Sequence, residues 1–351
     1  MNNSSQNGVS PLHSIITGGA GFIGCHLAHF LLERGHKVTI YDNLSRRGVD
    51  KNLAWLQAGH GAALRFIRGD VRDYPALSQA IIGADRVYHL ASQVAVTTSV
   101  ADPRTDFEIN ALGTFNVLEA VRTQVPQAIV FYASTNKVYG GMAELAIVEG
   151  ATRYRYADLP GGISEGQPLD FHSPYGCSKG AGDQYMSDYA RIYGLRTVVF
   201  RQSCIYGSRQ FGIEDQGWLV HLCIAAALGR PITIYGNGKQ VRDVLWIEDL
   251  VRAYELAAER IDIAVGRTYN IGGGPDNVLS VWADFGPLLE ELVGHPLPVN
   301  YKTWRPGDQP VYISDISRAG RELGWSPRVG VGQGIQMLWD WVSGNLALFE
   351  A

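Results

Sequence analysis

Short runs of β-branched and other apolar residues recur through the first half of the chain, at Ser14–Thr17, Lys37–Tyr41, Leu64–Ile67, Arg86–Leu90 and Ile129–Tyr132. They are apolar almost throughout rather than alternating, the pattern of strands covered on both faces of a parallel sheet. Between the first two, Ile23, Leu27 and Leu31 recur every four residues along one helical face, and Asn110–Arg122 reads as another helix. Ser173-Pro174 sets an N-cap before a proline at the first helical position, which predicts a helix to about Tyr193 and then a strand at Thr197–Phe200. This βαβαβ succession predicts an α/β fold, a doubly wound parallel sheet of the Rossmann type. Past residue 200 the pattern loosens, with helices predicted at Gln216–Leu228, Glu248–Arg260 and Val281–Val293. We expect a larger domain over 11–200 with a returning segment near 241–274. A smaller, mainly C-terminal α/β domain would come from 201–240 and 275–345.

Composition narrows the function classes. Thirty Lys and Arg against 34 Asp and Glu give a net charge of −4 and no basic stripe, which argues against a nucleic-acid partner. Cys25, Cys177, Cys204 and Cys223 form neither a CxxC pair nor a His/Cys zinc spacing, so reduced thiols in a cytoplasmic protein and no metal site are expected. Met1 to Gly8 lacks the charged and apolar regions of a signal peptide and reads as a loose tail. No apolar run approaches the roughly 18 residues of a membrane helix.

Thr17-Gly18-Gly19-Ala20-Gly21-Phe22-Ile23-Gly24 joins the first strand to the first helix. Glycines there permit a tight turn and let a pyrophosphate approach N–H groups at a helix N-terminus. With 41 glycines in 351 residues, chance alone supplies roughly 0.5 such GxxGxxG triplets, so the spacing proves little by itself. Its position between strand and helix carries the reading, together with Asp42 at the end of the second strand, where a carboxylate can accept from ribose hydroxyls and disfavour a 2′-phosphate. NAD is therefore expected over NADP. Arg46 and Arg47, close behind, read as solvated loop charges.

Tyr175 and Lys179 stand at i and i+4 on the predicted helix. An ammonium about 4 Å from a phenol at an effective dielectric of 20 is worth roughly 4 kcal/mol, enough to bring the phenol near neutrality as an acid/base. A second YxxxK, Tyr235 to Lys239, contains Gly236 and Gly238 and reads as a turn. Ser134 and Thr135 follow the Ile129–Tyr132 strand, at an edge where ligands bind in such sheets, and otherwise simply satisfy the loop backbone.

With these residues assembled, the chain resembles the extended short-chain dehydrogenase/reductase family of nucleotide-sugar enzymes, from Thr17 to about Trp341. Within the family it is most similar to the CDP-paratose 2-epimerase subgroup. The resemblance rests on Tyr41-Asp42-Asn43-Leu44-Ser45-Arg46, Gln93-Val94-Ala95, Ala133 to Gly140, Leu169 to Lys179, Asp215-Gln216-Gly217-Trp218 and Gly236 to Val244. It implies an NAD site at Gly18, Gly21, Phe22, Ile23, Gly24, Asp42, Asn43, Asp70, Val71, Leu90, Ala91, Asn110 and Ala133, completed by Tyr175 and Lys179. It implies Tyr175 as acid/base, Lys179 as its partner and Thr135 as the hydroxyl that orients substrate. Gln93, Thr135, Asn136, Lys137, Arg209, Gln210, Arg242 and Arg305 would face a nucleotide sugar, CDP-linked. A solvated surface arginine is the plain alternative for each arginine.

The implied activity is epimerisation at C2 through a transient keto sugar, in a homodimer or homotetramer. Gln202 and Cys204 depart from the family pattern, where His and Ser are expected. Dehydratases of the family carry an Asp-Glu pair after the strand-end threonine, and this chain has Asn136 and Lys137. A UDP-hexose or UDP-hexuronate 4-epimerase stays open as the second reading, and a non-catalytic NAD-binding sensor as the reading of another class.

Overall fold

Seven parallel strands form the central sheet: β1 (His13–Thr17), β2 (Lys37–Asp42), β3 (Leu64–Arg68), β4 (Arg86–His89), β5 (Ile129–Thr135), β6 (Arg196–Gln202) and β7 (Arg267–Ile271). The structure is a computed structural model that describes residues 11–305 and 308–350; the predicted N-terminal tail lies outside them. The strand order is β7-β6-β5-β4-β1-β2-β3. It reverses direction between β1 and β4, the crevice where such sheets bind ligands at their carboxyl ends. The predicted apolar runs all belong to this sheet, and most of their residues are buried, as strands covered on two faces require.

Helices fill the crossovers: Phe22–Glu33 after β1, Val49–His60 after β2, Tyr74–Ile81 after β3 and Ser173–Tyr193 between β5 and β6. Between β4 and β5 the chain runs through Pro103–Phe107, a π-helical turn at Glu108–Leu112 and Gly113–Gln124. The helix predicted at Asn110–Arg122 is therefore longer and carries a wide turn at its start, a local departure often associated with function. Behind the sheet, Tyr254 of the Ile247–Glu259 helix meets the aromatic residues of three strands. Its ring lies 5.6 Å from Tyr88 and Phe131 and 4.7 Å from Phe200. Such pairs add about 0.5–1.5 kcal/mol beyond the area they bury, fastening that late helix to the first half of the chain.

The remaining elements pack over the carboxyl ends of the strands. Val241–Trp246 pairs with Cys204–Tyr206, Val278–Ser280 and Val311–Tyr312, and Ile232–Tyr235 pairs with Val299–Lys302. Asp243 ties this layer together. It is fully buried and accepts from Ser203 and from the N–H groups of Gly274 and Ser314, both at 3.2 Å. No helix among the described residues is long and apolar enough to cross a membrane.

Candidate active site

β1 ends at Thr17, and the chain turns through Gly18 at φ +69°. That left-handed conformation favours glycine, and the space requires it as well. A β-carbon on Gly18 would stand 2.7 Å from the Ala91 nitrogen, and one on Gly24 would stand 2.6 Å from the Gly18 oxygen. The Phe22–Glu33 helix then starts with no side-chain cap. The N–H groups of its first turn are left for a ligand, and the helix dipole favours an anion there. This cradle fits a diphosphate.

The cradle sits within a cleft of about 1080 Å³, counting its open mouth. At one end Asp42, at the tip of β2, accepts from Ala20 N–H at 3.1 Å and Leu44 N–H at 2.8 Å. Burial raises its pKa and those two donors oppose the rise. Asn43 donates to Asp70 at 2.9 Å, and the Arg72 side chain pairs with both Asp70 oxygens, holding that carboxyl down to about 2. Val71, Leu90 and Ala91 complete the walls.

At the other end, the register pairs Thr135 of β5 with Gln202 of β6, and the Ser173–Tyr193 helix delivers Tyr175 and Lys179 beside them. Ser173 opens this helix as predicted: its hydroxyl accepts from Gly176 N–H at 3.2 Å, with the residue at φ +67°. Thr135 lies near enough to Tyr175 to lower the pKa of its phenol. Lys179 points its ammonium over the Tyr132 ring, 4.2 Å from the centroid.

The expected electrostatics do not hold here. Burial pushes the Tyr175 phenol up to about 12, with Thr135 and Arg46 acting against it. Burial likewise pushes Lys179 down to about 7, opposed by Asp183 and Asp106. Removal from water dominates at both groups, and Lys179 is not among the charges that act on the phenol.

Every predicted cofactor-site residue except Asn110 lines this one cleft. Asn110 lies beneath it on the π-helical turn, accepting from Ser92 Oγ at 2.8 Å and Gln93 N–H at 2.9 Å. Gln93 turns its carboxamide to Ala95 O at 2.8 Å and Asp106 at 3.0 Å, so its side chain braces the loop.

Of the expected substrate-facing residues, Asn136 accepts from the Thr135 hydroxyl at 3.3 Å. Lys137 reaches Gln309 at 3.3 Å, and Arg242 donates to Gln309 O at 2.7 Å and pairs with Asp308. These residues and Cys204 form one group, in which burial and Arg242 push Lys137 down to about 8. Arg305 lies elsewhere, paired with Glu214 and Asp215 and stacked 3.9 Å over Tyr235. Gln210 is buried and donates weakly to Ile205 O, at 3.4 Å. Arg209 stacks on Trp55 at 3.7 Å, on the helix that follows β2, and so is neither solvated nor grouped with Arg242. In the second YxxxK, Tyr235 bonds Glu214 and Lys239 bonds Glu149, on separate sides of a turn in which Gly236 and Gly238 have positive φ.

Arg46 adds to the sequence reading. It is exposed, as a solvated loop charge should be, and it also donates to Gln216 at 2.7 Å across the cleft mouth, with its charge felt at Tyr175. Asp106 and Asp183 were also missed. Asp106, fully buried, accepts from Ser178 Oγ at 2.5 Å and from Gln93 and Asn110. Asp183 takes both arms of Arg201 at 2.8 and 2.9 Å and the Ser134 hydroxyl at 2.7 Å. The available signal was spacing, Asp106 to Asn110 and Lys179 to Asp183, each at i and i+4.

Comparison with known proteins agrees with this geometry. The family described as GDP-mannose 4,6 dehydratase matches residues 15–338. CDP-paratose 2-epimerase of Salmonella typhi is 45% identical over 336 residues, covering 94% of this chain and 98% of its own. UDP-glucuronic acid 4-epimerase from Bacillus cereus, solved with UDP-glucuronic acid and NAD, superposes with a TM-score of 0.82 at 28% identity, covering 95% of this chain and 99% of its own. DesIV, a dTDP-glucose 4,6-dehydratase from Streptomyces venezuelae solved with NAD and TYD, gives a TM-score of 0.83 at 29% identity, covering 97% of this chain and 99% of its own. With a glycine cradle at the β1 turn, a Tyr175/Lys179 helix against Thr135 and a family match over most of its length, the chain belongs to the GDP-mannose 4,6-dehydratase family of extended short-chain dehydrogenases/reductases.

Proposed function

We propose that this protein is an NAD-dependent nucleotide-sugar epimerase that inverts C2 of a CDP-linked dideoxyhexose through a transient keto sugar. The observation that carries epimerisation over dehydration is the placement of acids. The carboxylates lining the cleft are Asp42 and Asp70, at the end opposite Tyr175. Beside Thr135 stand Asn136 and Lys137, where elimination of water would need a carboxyl group. The CDP-linked sugar and C2 rest on the likeness to the Salmonella typhi enzyme, which extends over nearly its whole length.

NAD would be held by the glycine cradle, with Asp42 toward the adenosine ribose and the nicotinamide toward Tyr175. When bound, it supplies a reversible hydride acceptor. Tyr175 takes the proton of the C2 hydroxyl while Thr135 fixes that oxygen. Lys179, on the same helix, is its partner, while Thr135 and Arg46 counter the burial that keeps the phenol protonated. After the keto sugar turns its other face, Tyr175 returns the proton, and no net redox change results. Lys137 and Arg242 would meet the diphosphate.

We infer further that the larger domain (11–200, returning near 241–274) binds NAD, the smaller one the nucleotide sugar, in a cytoplasmic homodimer or a tetramer built from such dimers. Phe107, Leu112, Phe115, Tyr185, Ile192 and Tyr193 stand exposed on the 103–124 and Ser173–Tyr193 helices, an unpartnered apolar face.

The test incubates the enzyme with CDP-, UDP- and GDP-sugars and follows inversion by NMR. Inversion at C2 without accumulation of reduced cofactor is expected, and Tyr175→Phe abolishes it while NAD stays bound. Inversion at C4, or undiminished turnover in the variant, overturns the reading.

A further inference from the structure

The Phe22–Glu33 helix, which begins at the phosphate turn, carries His29 and Glu33 on one face of its last turns. His60 closes the neighbouring Val49–His60 helix. In the fold His29 Nδ1 lies 2.8 Å from His60 Nε2, and Glu33 Oε1 lies 3.6 Å from His60 Nδ1. One ligating atom from each of the three falls within 4.8 Å of the other two.

Two imidazoles and a carboxylate are a donor set that suits Zn²⁺, whose bonds of about 2.0–2.2 Å put the donors of a tetrahedral site about 3.3 Å apart. The imidazoles need to part by roughly half an ångström to reach that spacing. Glu33, whose side chain is 59% exposed, is free to close on the ion from the solvent side. The rest of the cluster is sheltered. The His60 side chain is 8% exposed, and the Trp55 ring lies 4.9 Å from that of His29.

A ligand imidazole must be neutral. Arg209, stacked on the same Trp55, is the cation in the neighbourhood, and the charge of Glu33 opposes it. The sequence showed no such site because 27 residues separate Glu33 from His60. Without an ion, the same atoms form a Glu33–His60–His29 chain of contacts.

We propose that His29, Glu33 and His60 bind one divalent cation of the Zn²⁺ class, with water as the fourth ligand. The ion would staple the helix that follows the phosphate turn to the helix that follows the Asp42 loop.

The experiment titrates Zn²⁺ into chelator-treated, NAD-loaded enzyme against a chromophoric competitor and records thermal unfolding with and without the metal. One equivalent of bound Zn²⁺ and a raised midpoint are expected, with no such response to Mg²⁺. His60→Gln abolishes the saturable binding, and the exposed Glu33→Gln weakens it, while both retain NAD. Absence of stoichiometric binding, or binding unchanged in Glu33→Gln and His60→Gln, leaves only the chain of contacts and overturns the proposal. Glu33, being on the surface, keeps the test valid if His60→Gln fails to fold.

Discussion

Lys179 is held where an ammonium does not want to be, so replacing it should stabilise the protein while destroying its activity. Its side chain is buried, and its pKa falls from 10.5 to about 7. A displacement of that size corresponds to roughly 5 kcal/mol of differential cost between folded and unfolded chains. The folded-state value lies below the unfolded one, so the cost is full below pH 7, shrinks as pH rises from 7 to 10.5 and vanishes above. Lys179→Met removes it, worth about 4 kcal/mol at pH 7 and about 2 kcal/mol at pH 9. The contact with the Tyr132 ring is lost as well, returning about 1 kcal/mol. Net gains of about 3 kcal/mol at pH 7 and about 1 kcal/mol at pH 9 follow. Urea denaturation of cofactor-stripped protein at the two pH values measures this directly, with epimerisation assayed in parallel. A variant less stable than wild type, or a gain that does not shrink with pH, refutes the account of Lys179 as a charge buried at a cost to the fold.

Asp106→Asn should leave NAD bound and lower kcat, with the basic limb of the pH–rate profile moving to lower pH because Asp106 helps keep Lys179 protonated; superimposable profiles would rule that out. Gly18→Ala forces a β-carbon against Ala91 at a left-handed φ, a strain of about 1–3 kcal/mol, and the NAD released on denaturing the purified variant should fall well below one equivalent. Full NAD occupancy would show that the cradle is not where the diphosphate sits. Ile192→Glu, on the exposed apolar face, should convert the proposed oligomer to monomer in light scattering, and an unchanged mass would move the interface elsewhere.

Much of the sheet was legible because burial on both faces writes itself as unbroken apolar runs, and β1 to β6 fall on those runs within a few residues. β7 was not identified as a strand, because Arg267-Thr268-Tyr269-Asn270-Ile271 mixes polar with apolar residues; Asn270, fully buried, spends its polarity on Tyr139 and Ile163. The Val49–His60 helix escaped for a similar reason: it buries only Val49, Asn52, Leu53 and Leu56 and begins after Gly48 in a left-handed conformation. Residues whose role lies in the backbone, such as Gly18, were readable from type and position. Residues whose role depends on where a long side chain goes were not. Arg46 finds its partner 170 residues away, and Arg209 turns to Trp55, directions that local spacing does not encode.

The bridge between Arg46 and Gln216 bears on residence time. Arg46 follows the Asp42 loop, and Gln216 stands just before the Trp218–Ala227 helix of the other half. Both residues line the cleft, so opening its mouth means breaking this contact. A redox-neutral catalyst gains nothing from exchanging its dinucleotide between turnovers. One exposed hydrogen bond across that rim would then have to open before the dinucleotide could leave.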